Sequence, residues 1–80
     1  MTSAADDTDD AALLVEVGTA IATARADAGF SQSGLATAAG LNRSFLHAVE
    51  KGTKKPTILT LVRIARALNT TVANMLRDIS

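Results

Sequence analysis

The sequence predicts an all-α domain of five short helices. Three observations carry that expectation. Apolar residues recur at three- and four-residue spacing along most of the chain. Ser, Thr or Asn stands just ahead of each periodic run after the first, where a helix N-cap is needed. Gly or Asn closes the first four runs. The one strand-like signal, alternating alanines from Ala20 to Ala28, gives way to alanine's high helix propensity.

Leu13, Leu14, Val17, Ile21, Ala24 and Ala28 mark an amphipathic helix from about residue 11 to 28, ended by Gly29. Ser31 caps a second helix over about 32–39, and Phe30 and Leu35 are spaced for a hydrophobic staple. Gly40 stops that helix. Asn42 caps a third over about 43–50, stopped by Gly52. After the loop TKKP, Thr57 caps a fourth, whose apolar face is Ile58, Leu61, Ile64, Ala65 and Leu68. Asn69 breaks it. Thr70 or Thr71 opens a fifth, with Val72, Met75, Leu76 and Ile79 as an apolar stripe.

At 80 residues the chain has room for one small domain. Residues 1–10, MTSAADDTDD, read as a flexible acidic tail, and residues 11–80 as the folded unit. That opening has neither the basic nor the apolar region of a secretory signal, and no stretch reaches the ~18 apolar residues of a membrane span, so a soluble, cytoplasmic protein is expected. Cysteine is absent and His47 is the single histidine. Thiolate chemistry, a catalytic triad and a Cys- or His-based metal site are therefore not expected, nor is a cofactor. No carboxylate pair is placed for acid–base work, and an enzyme is not expected.

The formal net charge is zero, but its distribution is uneven. Asp6, Asp7, Asp9 and Asp10 hold half of the acids. Between residues 43 and 66, six bases (Arg43, Lys51, Lys54, Lys55, Arg63, Arg66) face Glu50 alone, a net of +5. A basic half with an acidic end is the asymmetry of a nucleic-acid binder.

The second and third predicted helices, joined by a glycine-containing turn, have the layout of a helix-turn-helix. Gln32, Ala36, Gly40, Leu46 and Val49 are spaced for it. Ala36 is small where two helices cross, Gly40 permits a left-handed turn, and Leu46 and Val49 pin the third helix to the core. Projected at about 100° per residue, that helix leaves Ser44, His47, Ala48 and Lys51 on its outer face, with Arg43, Phe45 and Glu50 at the boundary. Arg near a helix N-terminus can bond guanine bidentately in a major groove, while Ser and His are less selective.

Residues 18–76, through FSQSGLATAAGLNRSFLHAVEKGTKKPT and LVRIARALNTTVANML, resemble the Xre, Cro and lambda-repressor helix-turn-helix family. The resemblance implies a five-helix bundle of the lambda-repressor-like DNA-binding type, binding double-stranded operator DNA as a homodimer on a two-fold symmetric site. It implies base contacts from Arg43, Ser44 and Ala48, to which the helix projection adds His47. It implies backbone contacts from Gln32, Lys54 and Lys55, with Asn42, Phe45 and Lys51 grouped beside them. Arg25 and Glu50 match a pair that is ion-paired in some members. Two departures stand out. Gly34 replaces the usual acidic residue, which removes the reciprocal half of a capping box. Ala48 cannot hydrogen-bond a base and offers only a methyl.

Val72, Met75, Leu76 and Ile79 are expected to close the core in part and to form a homodimer interface with the remainder. LNRSFLHAVEKG is similar to the reading helix of restriction–modification controllers. An antitoxin with a toxin partner, or a protein–protein adaptor on the same fold, are the alternative readings.

Overall fold

The computed structural model describes residues 3–79, with side chains from Asp9 onward. Met1 and Thr2 of the acidic segment and the terminal Ser80 lie outside the described residues. The order is α1 (Ser3–Asp27), α2 (Gln32–Ala39), α3 (Arg43–Lys51), α4 (Ile58–Ala67) and α5 (Val72–Met75), with no strand among the described residues.

Each helix after the first starts on a side-chain cap. Ser31 Oγ accepts from Gly34 N at 2.9 Å. Asn42 Oδ1 accepts from Ser44 N at 2.8 Å and Phe45 N at 3.3 Å. Thr57 and Thr71 do the same for Thr60 N and Asn74 N. The first four helices end in one way as well. In each, the residue at C′ is left-handed and the next amide reaches back across the turn: Phe30 N to Arg25 O, Leu41 N to Ala36 O, Thr53 N to Ala48 O, Thr70 N to Ala65 O. The C′ residue has φ of 70° at Gly40 and 80° at Gly52, values that a side chain resists. Asn69, at φ 58°, fills the same place after α4, a position that asparagine tolerates better than most residues.

The core draws on all five helices. Ile21, Leu35, Leu46 and Ile64 are fully buried, Ala36, Ala39, Val49 and Ala65 nearly so, and Met75 closes the end. No buried side-chain polar atom among the described residues lacks a partner. Both phenylalanines, Phe30 and Phe45, pack at its edge.

Three expectations need correcting. The first helix begins at Ser3 rather than near residue 11, so the acidic segment from Ser3 to Asp10 belongs to α1. Acids early in a helix are favoured by its dipole, and alanine is the best helix former. Ile58, placed on the apolar face of α4, is 66% exposed. Its azimuth lies within about 20° of buried Ala65, but it is the first residue of the helix and overhangs the core. α5 is only four residues long and ends before Leu76 and Ile79, which follow in turns.

Candidate nucleic-acid interface

α3 is held at three places. Leu46 and Val49 are buried beneath it. Gly18, in the middle of α1, lets the two backbones approach so closely that a Cβ there would stand 2.4 Å from Glu50 O and 2.5 Å from Val49 O. Past the end of α3, Gly52 meets Val15 in the same manner, a Cβ coming within 2.8 Å of Val15 Cα.

The third hold is a charged clip joining α1, α2 and α3. Arg25 Nε donates to Glu50 Oε2 at 2.7 Å, and Nη2 donates to Glu50 Oε1 at 3.1 Å, a bidentate pair. Gln32 Nε2 adds a bond to Glu50 Oε1 at 2.9 Å. Arg25 Nη1 donates to Phe30 O at 2.9 Å and fixes the turn between α1 and α2. The Glu50 side chain is only 5% exposed and that of Arg25 19%. A pair this buried adds little net stability compared with apolar packing, but losing one partner leaves an expensive charge. Its consequence here is orientation: α3 cannot roll without breaking it.

With α3 so fixed, Arg43, Ser44, His47 and Lys51 are all exposed, one stripe along the helix. Asn42 is exposed too, though its Oδ1 is occupied by the cap. The loop after α3 is tied back by Thr53 Oγ1, which donates to Ala48 O at 3.1 Å, and it carries the exposed Lys54 and Lys55. These residues form a continuous cationic and hydrogen-bonding surface running from the start of α3 into the loop. Phosphates and base edges are the ligands that such a surface suits.

Other residues singled out in the sequence sit differently. Ala48 is half-buried, as is Phe45, whose ring packs against the core, so little of either is open to a ligand. Gln32 is half-buried, and one amide hydrogen goes to Glu50, leaving the second for an outside acceptor. Met75, expected at a homodimer interface, is 8% exposed and belongs to the monomer core, because it caps the space between α4 and α1. Val72, Leu76 and Ile79 keep partial exposure. Sequence reasoning passed over Gly18, although a glycine inside an alanine-rich helix costs about 1 kcal/mol and needs a packing reason. It also missed the outward-facing Leu59, 66% exposed beside Ile58.

No helix among the described residues is long and apolar enough to cross a membrane, and no group of metal-ligating side chains is found among them.

Comparison with known proteins places the fold and the family. No curated protein matches the chain. Among solved structures, the restriction-modification controller protein C.AhdI from Aeromonas hydrophila is 31% identical, with a TM-score of 0.76 over 78% of this chain and 94% of that one. The clp gene regulator ClgR from Corynebacterium glutamicum is also 31% identical, with a TM-score of 0.78 over 81% of this chain and 83% of that one. A SinR protein/SinI protein complex contains a chain 30% identical, with a TM-score of 0.72 over 78% of this chain and 61% of that one. The family description "Helix-turn-helix" fits residues 21–73, a span that includes the clip, the exposed stripe of α3 and the lysine loop. The chain belongs to the helix-turn-helix family HTH_3 and is a DNA-binding transcription regulator.

Proposed function

We propose that the domain binds double-stranded DNA sequence-specifically through α3, as a homodimer on a two-fold symmetric operator. The observation that carries this reading is the clamped helix itself. Its inner face is buried and its exposed stripe is Arg43, Ser44, His47 and Lys51. Arg43 supplies bidentate readout of guanine, and Ser44 and His47 add less selective contacts. Lys51, Lys54, Lys55 and the free amide hydrogen of Gln32 bind phosphates, which set register and most of the affinity. Asn42 lies alongside them. Ala48 and Phe45 offer a methyl and part of a ring at the margin.

Homodimerisation rests on Ile58 and Leu59 at the start of α4, both 66% exposed, and on partly exposed Val72, Leu76 and Ile79 near the C-terminal end of the chain. Large apolar side chains left open on a small domain suit an apolar partner surface. A restriction–modification controller is the finer reading we favour, on the segment LNRSFLHAVEKG and on the near-complete span of C.AhdI that the chain matches.

Fluorescence anisotropy with a random duplex at several salt concentrations tests DNA binding, with log affinity expected to fall linearly with log salt. A flat response would remove the phosphate contacts from the account. Sedimentation of Ile58→Ser/Leu59→Ser tests the dimer. The variant is expected to run as a monomer at concentrations where the parent is dimeric, and an unchanged dimer would place the interface elsewhere.

A further inference from the structure

On the side of α1 away from α3 lies an open groove of about 760 Å³, between α1 and the C-terminal end of the chain. Small and apolar side chains line it, among them Ala20, Ala24, Leu68 and Met75. Glu16, Asp27 and Asp78 line it as well, against Arg77 alone. None of these four charged groups is ion-paired among the described residues.

The charges on α1 are ordered. At about 100° per residue, Glu16, Thr23 and Asp27 fall within roughly 40° of one another, and Gly18 and Arg25, which face α3, fall roughly opposite. The exposed Asp9 continues the same line. Acids therefore recur along this edge at separations of about 10 Å and 16 Å, from the rise of 1.5 Å per residue. The groove's lining along α1 from Glu16 to Asp27 runs roughly 16 Å, about three turns of a docked helix. Alanine and threonine along α1 let another backbone approach closely.

We propose that this groove docks a basic, amphipathic α-helix of a partner protein, while α3 remains open to DNA. Apolar side chains at i, i+3 and i+7 of such a helix meet the alanine, leucine and methionine surface. Lysines or arginines eleven residues apart meet Glu16 and Asp27, and another meets Asp78. Charge complementarity selects the partner: the DNA-facing surface is cationic, this one is anionic. A second copy fits poorly. An isologous contact here would set the acidic rim against itself across the two-fold axis, and a head-to-tail contact would not close into a dimer.

The test uses a synthetic 18-residue amphipathic peptide, leucine-faced, with lysines eleven residues apart, titrated into the ¹⁵N-labelled protein. Saturable amide shifts are expected at Thr19, Thr23, Asp27, Asn74 and Asp78, with α3 unmoved. Asp27→Asn/Asp78→Asn, both at exposed sites, should bind about tenfold more weakly, a loss that two exposed ion pairs can account for. It should keep the parent's thermal melt. Thr23→Arg, which fills the groove and opposes the lysines, should abolish binding while the fold is retained. Shifts centred on Ile58 and Leu59, equal binding of a scrambled peptide of the same charge, or indifference to both variants would overturn the proposal. Loss of self-association in Thr23→Arg would overturn it too, by showing that a second copy covers the groove. The readout is independent of DNA: failure of duplex binding with intact peptide binding would count against the reading helix alone.

Discussion

α3 and α4 are similar in build and opposite in exposure. They are nine and ten residues long, both begin on a side-chain oxygen cap, and both end in a left-handed residue. α3 turns Arg43, Ser44, His47 and Lys51 outward, whereas α4 begins with Ile58 and Leu59 in the open. The two helices are also held differently. α3 is fixed by the Arg25–Glu50–Gln32 clip and by backbone contact at Gly18. α4 depends on packing through Ile64 and Ala65. A helix that must present hydrogen-bonding groups to a rigid duplex needs its rotation fixed, and directional charge contacts do that. A helix end with an apolar face needs only to be exposed.

The comparison can be broken at the clip. Arg25→Ala strands Glu50, whose side chain is 5% exposed, and should cost about 3 kcal/mol or more of stability, read by urea unfolding. A cost under ~1 kcal/mol would mean that the pair does not fix α3. Gly18→Ala drives a methyl into the backbone of α3 and should cost about 2 kcal/mol, an overpacking penalty, again by urea unfolding. DNA affinity should suffer as well, because α3 is displaced.

Smaller effects sharpen the contrast on the outer face. Arg43→Ala should leave stability unchanged and cost about 1–3 kcal/mol of binding free energy, confined to one base position. Lys54→Ala should weaken all duplexes alike and lower the salt slope by about one, measured by anisotropy. Equal losses on every sequence for both variants would erase the distinction between reading and positioning.

Much of this was legible in the sequence because it is local. Ser31, Asn42, Thr57 and Thr71 declare helix starts through hydrogen bonds that span two or three residues, and Gly40 and Gly52 declare the ends. The start of α1 was hidden, since a run of aspartates reads as a tail until the helix behind it supplies hydrogen-bond partners. Ile58 shows the limit of periodicity, which gives the direction of a side chain around the helix but not whether the core extends that far. The part of Gln32 in the clip depends on three helices meeting, so no spacing reveals it. Met75 looked like interface because an apolar stripe does not say which of its members the monomer uses.

The central claim is that α3 reads sequence from a position set by the rest of the fold. Selection of bound sequences from a random duplex pool tests it most directly, run in parallel with the parent and Arg43→Ala. The account predicts two inverted half-sites with centres about one helical turn apart, ~34 Å, and loss of preference at one symmetric pair of positions in the variant. Enrichment of no sequence by the parent, or the same enriched sequence from both proteins, would contradict it.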